Sequence, residues 1–289
     1  MKTIAISGSS GFIGNSIKNS IKNNYYNFKI IEIDLKSGYD LSIWDNIKNI
    51  ESFDTFIHLA AKSYVPDSYK NPKLFYDTNF ATTLNALELC RKHNAKMILA
   101  SSYVYGTPKY LPIDEDHPVN AFNPYAQSKL ISEDLCRAYN RDFGLPVIIF
   151  RPFNIYGYGQ DKNFLIPKII SDAKNGKIFL ENSLPKRDFL HIDDLVEAFI
   201  KAITYEKTNY EIFNIGYGDS LSVSEITEKI IKKINKNISV SFSKNKRKNE
   251  ILETKASITK AKELLNWSPR TNFESGIKKM LKKYFENDN

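Results

Sequence analysis

"SGSSGFIG", residues 7–14, follows the short apolar run "KTIAI" and leads into "NSIKNSIKN". Its glycines at 8, 11 and 14 fall where a strand would hand over to a helix. Glycine costs stability inside regular structure, so a spaced set at such a joint signals a tight turn and close approach of the backbone to another group. The spacing is G-x-x-G-x-x-G rather than G-x-G-x-x-G, yet the physics is the same. The turn lets the following helix present its first N–H groups and its positive dipole end to a pyrophosphate. Twenty residues past Gly14, Asp34 closes the next apolar run, "KIIEID". A carboxylate there accepts hydrogen bonds from ribose hydroxyls and repels a 2′-phosphate, which favours NAD over NADP. Lys36 nearby weakens that preference.

Outward from this turn, "TIAIS", "KIIEID", "TFIHLAA", "KMILASS" and "PVIIFRP" read as five buried strands, and 14–23, 70–93 and 124–142 as helices between or around them. Strands alternating with helices predict an α/β fold, a doubly wound parallel sheet whose ligand site lies at the carboxyl ends of its strands. Only "LKSGY" separates Asp34 from "DLS" at 40–42, which leaves no room for a helix and predicts a short third strand reached by a loop. After Pro152 the rhythm changes, with a Gly/Tyr-rich loop, a helical stretch at 165–175, another at 222–236 and a loose basic stretch at 239–255. The expected division is a dinucleotide-binding domain over 1–155, to which 188–216 returns, and a smaller lobe from 156–187 and 217–289 roofing the site.

With 289 residues, 42% hydrophobic and 26% charged, the chain has the composition of an ordinary globular protein with a sizeable core. It has no apolar run of membrane-spanning length and no signal-peptide pattern. Cys90 and Cys136 lack metal-ligand spacing and read as buried structural thiols. The expectation is a cytoplasmic protein with neither metal nor membrane partner. Much of the net charge of +8 sits between Lys229 and Lys283. No basic recognition helix or aromatic-interleaved motif accompanies it, so it reads as a solvated face rather than a nucleic-acid site, with one or two cations left for an anionic ligand.

"YAQSK", Tyr125 to Lys129, places a phenol and an ammonium on one helix face. The chain holds five Tyr/Lys pairs at this spacing, and position separates them: only Tyr125 follows Asn123-Pro124, a helix cap and first-turn proline. A free phenol has a pKa near ~10, so acting as a base at neutral pH requires lowering it by about 3 units, roughly 4 kcal/mol. A cation within ~4–6 Å supplies roughly 1–3 units, and a positively charged nicotinamide adds more. Lys129 thus makes Tyr125 a usable proton acceptor for an alcohol losing hydride, and Ser101 in "ASSYVYG" would align that alcohol.

The ordered set "GSSGFIG", "HLAA", "SSYVYG", "NPYAQSK", "FRPFNIYG", "RDFLHIDD" and "FNIG" resembles the extended short-chain dehydrogenases, most closely their nucleotide-sugar epimerase/dehydratase family, over nearly the whole chain. The resemblance implies a Rossmann fold with a C-terminal substrate-binding lobe. It also implies that Gly8, Gly11, Phe12, Ile13 and Gly14 cradle the pyrophosphate, that Asp34 holds the adenosine ribose, and that Asp40 and Leu41 flank adenine. Leu59, Ala60, Ala61, Ser63, Asn79 and Phe153 would line the cofactor, together with Tyr125 and Lys129. Ser101, Tyr125 and Lys129 match the catalytic triad; Asn154, Arg187 and Arg247 match positions that contact a sugar nucleotide's diphosphate or nearby groups.

Dehydratases of the family carry an acid where this chain has Tyr103, so loss of water from the sugar is disfavoured. The implied reaction is an NAD-dependent 4-epimerisation of a UDP-hexose type substrate. The alternative is a 4-keto-sugar reductase using NAD(P)H, and a non-catalytic binding protein ranks below both. The apolar stripes of 78–93 and 124–142 are expected to pair two copies into a homodimer.

Overall fold

Alternation of β-branched runs with amphipathic stretches produces a six-stranded parallel sheet in the computed structural model, which describes residues 1–25, 27–206, 209–234, 237–243 and 250–286. Strands β1 (Lys2–Ser7), β2 (Phe28–Ile33), β3 (Thr55–His58), β4 (Lys96–Ala100) and β5 (Val147–Pro152) are the five expected from sequence. The short strands β6 (Asn154–Tyr156), β7 (Lys177–Leu180), β8 (Lys186–Arg187) and β9 (Phe189–His191) follow. Then β10 (Tyr210–Ile215) returns as the sixth member of the large sheet, ahead of β11 (Leu221–Ser222) and β12 (Ser239–Phe242). The spatial order is β10-β5-β4-β3-β1-β2.

The helices are α1 (Phe12–Asn24), α2 (Trp44–Ile47), α3 (Val65–Lys70), α4 (Pro72–His93), α5 (Pro124–Phe143), α6 (Leu165–Lys174), α7 (Ile192–Thr204), α8 (Val223–Ile234), α9 (Thr259–Leu265) and α10 (Phe273–Glu286). The two that matter most for the site have clear local causes. Asn71 and Asn123 cap α4 and α5 by accepting the N–H of Leu74 and Ala126, and a proline follows each cap. Asn94 and Gly144, both at positive φ, end them. No helix among the described residues is long and apolar enough to cross a membrane.

Each strand face has its own core. Ile4, Ile6, Ile98, Ile148 and Phe150 pack with residues of α1 and α7 on one side; Ala5, Phe56, Met97, Leu99 and Ile149 pack with residues of α4 and α5 on the other. A third cluster joins α6, β7, α8 and α10 into the smaller lobe.

Two features differ from the sequence expectation. Residues 40–42 form no strand: Asp40 turns its carboxylate back to accept both the N–H (2.9 Å) and the hydroxyl (2.6 Å) of Ser42, a local bond that competes with strand pairing. The sheet therefore ends at β2. Residues 259–267, assigned to the lobe from sequence, lie on the large sheet's helix layer instead. Ala261, Leu265 and Trp267 are buried in its core, and the Trp267 indole donates to the Asp194 carbonyl at 2.9 Å.

His58 closes β3 with almost no solvent contact. The Ser7 hydroxyl oxygen accepts the N–H groups of Leu59 (3.1 Å) and Ala60 (3.2 Å), so its own proton goes to His58 Nδ1 at 2.8 Å. Nε2 then carries the ring proton and donates to Thr83 Oγ1 at 3.2 Å, which fixes a neutral imidazole. Burial, with the nearby Lys129 charge, pulls its pKa down to about 3. The unfolded chain therefore binds a proton that the folded one refuses, and this contribution to stability falls as pH drops below about 6.5. From pH 7 to pH 5 it costs the fold ~2 kcal/mol. Urea unfolding of His58→Gln should show a lower midpoint at pH 7 and a smaller loss between pH 7 and 5 than the parent protein.

Candidate active site

All strands of the large sheet run parallel, so their carboxyl ends share one edge, along which the glycine turn, Asp34, Leu59, Ala60, Ala61 and Ser101 follow the strands. The glycine turn after β1 is sterically closed. Gly8 adopts φ +66, and a Cβ on Gly14 would lie 2.2 Å from the Gly8 carbonyl oxygen. Helix α1 opens on Gly11 with no side-chain cap, so its first N–H groups point to an outside acceptor. Asp34 stands beside the turn, accepting from the Ser10 hydroxyl (2.7 Å), the Ser10 N–H (3.2 Å) and the Lys36 N–H (3.0 Å). Burial works to raise its pKa, but these hydrogen bonds outweigh that and hold the carboxyl below its ordinary value. An anion-receiving turn next to a firmly ionised carboxylate fits the pyrophosphate and ribose of a dinucleotide.

A row of buried polar side chains crosses the sheet at this edge, on the face under α4 and α5. Ser7 is in register with His58, and Arg151 with Asn214. Ser101 continues the ladder, its N–H donating to the Phe150 carbonyl at 2.8 Å. Because side chains alternate along a strand, Ser101 shares the face of Met97 and Leu99 and points under α5. There its hydroxyl donates to Glu133 Oε1 at 2.5 Å. Arg151 grips the same carboxylate through Nη2 (2.6 Å) and Nε (3.1 and 3.2 Å), and donates through Nη1 to the Tyr105 hydroxyl at 3.0 Å. Tyr105 donates in turn to Asn214 Oδ1 at 2.6 Å.

The chain leaves the sheet at Ser102, whose side chain is near enough to the Tyr125 phenol to act on its pKa. Ser101, expected from sequence to align the substrate alcohol, is still within the ladder and turns its hydroxyl to Glu133 under the helix layer. Burial raises the Tyr125 pKa, and the neighbouring Ser102 hydroxyl opposes it. One turn further along α5, Lys129 is only 4% exposed. Burial pulls its pKa down to about 8, while the Glu133 charge works the other way. None of the hydrogen bonds among the described residues engages its ammonium, a buried cation fitted to hydroxyls of an incoming ligand.

The remaining expected residues divide by geometry. Leu59, Ala60, Ala61 and Ser63 follow β3 along the edge and keep some exposure. Asn79 is instead buried: it accepts the Lys62 N–H at 2.8 Å and donates to the Lys62 carbonyl and to Ser128 Oγ, pinning this loop to α5. Leu41 is a core residue rather than a wall for adenine, because the turn at Asp40 sends its side chain inward. Phe153 is buried edge-on against Tyr103, whose hydroxyl donates to the Gly106 carbonyl at 2.6 Å. Burial raises the Tyr103 pKa, partly offset by the Arg187 charge, so this phenol stays neutral where a dehydratase holds its acid.

Asn154 and Arg187 come together at the lobe boundary. Asn154 donates through its backbone (3.0 Å) and side chain (3.2 Å) to the carbonyl of Asp188, the residue after Arg187. The buried Asp188 carboxylate accepts the N–H groups of Tyr217, Gly218 and Ala256, tying two separate segments to this point. Arg247 lies outside the described residues. Ser102, Glu133, Arg151 and Asp188 were missed at the sequence level. Arg151 alternating with Val147 and Ile149, and Glu133 four residues after Lys129, were the available signals.

Residues 4–280 match the family model described as GDP-mannose 4,6 dehydratase. A UDP-glucuronate 4-epimerase from Thermodesulfobacterium geofontis is 33% identical over 261 residues, covering 88% of this chain and 79% of that protein. A UDP-glucose 4-epimerase from Lactobacillus helveticus is 32% identical over 254 residues, covering 80% and 76% respectively. Among solved structures, the UDP-Glc/GlcNAc 4-epimerase of Campylobacter jejuni superposes with a TM-score of 0.87 at 25% identity, over 99% of this chain and all of that one.

The turn geometry gives a direct test. In Gly14→Ala the new methyl meets backbone that has no room to retreat, an overpacking cost of about 1–3 kcal/mol. Thermal unfolding should fall by several degrees, with a smaller change in Gly11→Ala, whose Cβ would lie 3.2 Å from the same carbonyl.

Proposed function

This chain belongs to the nucleotide-sugar epimerase/dehydratase family of extended short-chain dehydrogenases, and we propose that it is an NAD-dependent UDP-hexose 4-epimerase. The observation that carries this reading is the Tyr125 phenol one helical turn from the buried ammonium of Lys129 on α5, with Tyr103 at the position where the resemblance implies a dehydratase's acid. Relatives named as UDP-sugar 4-epimerases support the substrate class.

Gly8, Gly11, Phe12, Ile13 and Gly14 would hold the dinucleotide's pyrophosphate, Asp34 its adenosine ribose, and Lys129 the hydroxyls near its reactive end. The chemistry supplied by the bound dinucleotide is reversible hydride exchange with sugar C4. Tyr125 accepts the proton of the C4 hydroxyl as the hydride leaves and returns a proton when the hydride comes back to the other face of the sugar. Ser102 orients that hydroxyl. Lys129 stabilises the phenolate, which it does only while protonated. Asn154, Arg187 and Arg247 bind the diphosphate side of the substrate. Asp34 favours NAD, and NADP use belongs to the reductase alternative. Leu74 and Phe80, exposed on α4, support a homodimer, and the basic excess reads as a solvated face with one or two cations for the anionic substrate rather than as a nucleic-acid site.

The first test is the cofactor released from purified protein, together with interconversion of UDP-glucose and UDP-galactose. Retained NAD(H) and turnover without added cofactor are expected. An empty protein that oxidises NADPH only with a 4-keto sugar nucleotide would establish a reductase instead. Tyr125→Phe should lose at least ~100-fold in kcat, the low end for a positioned acid–base. Ser102→Ala should lose more activity than a substitution at an exposed control serine such as Ser239 in the strand Ser239–Phe242. The rate should rise with pH as the phenol ionises and decline as pH passes about 8, where Lys129 loses its proton.

A further inference from the structure

Glu133 and Arg151 form an ion pair with side-chain exposures of 0% and 4%. Apolar side chains of similar volume would often serve stability as well or better, because two charges must be stripped of water. Stability alone therefore gives a weak reason for the pair at this place. Its connections give a stronger one. The Glu133 carboxylate is held from β5 by three Arg151 contacts within hydrogen-bond distance and receives the Ser101 hydroxyl from the end of β4. It stands on α5, four residues after Lys129 and eight after Tyr125, on the same helix face. One carboxylate thus joins the serine-bearing strand end, the helix carrying the phenol and ammonium, and the neighbouring strand.

We propose that Glu133, clamped by Arg151, is a positioning residue for this site. Through the Ser101 hydroxyl it fixes the point where the chain leaves β4, and so where Ser102 stands relative to α5, and through its charge it keeps the Lys129 ammonium protonated. This rests on the reading of Tyr125 and Lys129 as the proton-handling pair, and it holds for either direction of hydride chemistry. The groups acting on Lys129 are Glu133 and Cys136 of its own helix, and Lys129 in turn acts on His58 of β3. The thiol of Cys136 is pushed up by burial and stays protonated, and His58 is neutral, so among the described residues Glu133 is the anion that opposes burial of this cation. Arg151 stands behind it on β5. The charge-assisted bonds of Arg151 hold the carboxylate in one orientation, which a single hydrogen bond to serine would not do.

Three variants separate the two roles. Ser101→Ala, which leaves the ion pair intact, should lose ~10-fold in kcat with the sugar-nucleotide KM changed less than about twofold and the alkaline limb of the pH–rate profile unmoved; Ser101→Thr should restore most of the rate. Glu133→Gln should shift that alkaline limb to lower pH, because the ammonium loses its counter-charge. The same variant should also raise the pH at which Tyr125 ionises in NAD⁺-bound protein, read as tyrosinate absorbance after subtracting the matching Tyr125→Phe protein. This titration needs no sugar, so a failed epimerase assay leaves it able to decide. Wild-type kcat in Ser101→Ala would overturn the first role. An unmoved limb and an unmoved phenol titration in folded Glu133→Gln would overturn the second. Should Glu133→Gln fail to fold by circular dichroism, the charge role is read instead from Glu133→Asp, with a smaller shift of the same sign expected and no shift overturning it.

Discussion

A buried polar group must be hydrogen-bonded, and at the carboxyl edge of this sheet that rule is applied five times in a row. Ser7, His58, Ser101, Arg151 and Asn214 are each the last, or one of the last, residues of a strand or its continuation, and each is at least 97% buried. Each turns toward the α4/α5 layer. Leaving any of them unpaired would cost about 1–3 kcal/mol, and more for the guanidinium. The partners are supplied by the helices and the loop beyond β4: Thr83 for His58, Glu133 for Ser101 and Arg151, Tyr105 and the Ile113 carbonyl for Asn214. The position of α5, and with it Tyr125 and Lys129, follows from satisfying this row.

The row also separates two kinds of surface at the edge. Just beneath it, polar groups are consumed by one another and hold the backbone. Just above it stand the glycine turn, the uncapped start of α1, and Tyr125 with the buried Lys129 one helical turn away. A site built this way is organised before any ligand arrives, since the groups that fix geometry differ from those that meet the ligand. The smaller lobe is joined by the same means. Asp188, between Arg187 and Phe189, draws the N–H groups of Tyr217, Gly218 and Ala256 onto one carboxylate.

Much of this was legible along the chain because its causes are local. Period-two apolar runs, the Asn-Pro helix starts and the glycine spacing each act over a few residues, and the corresponding elements form where those signals stand. The failures share a different cause. Asp40 chose a side-chain turn over a strand, a competition that apolar patterning does not register. Trp267 joined the large core because it meets α7, far from it in sequence. Ser101 and Ser102 look equivalent as neighbouring hydroxyls, and only the point where the ladder ends distinguishes them.

The sequence by itself determined the fold class, the five main strands, the glycine turn with its neighbouring carboxylate, and the helix bearing Tyr125 and Lys129. These depend on spacing within a turn of helix or a strand, which the covalent chain sets. The tertiary structure decided that Ser101 and Arg151 share the Glu133 carboxylate beneath α5, and that Asp188 ties the Tyr217–Gly218 and Ala256 segments together. Those outcomes depend on strand register and on which side chains must share a buried acceptor, and both exist only once distant segments have packed together.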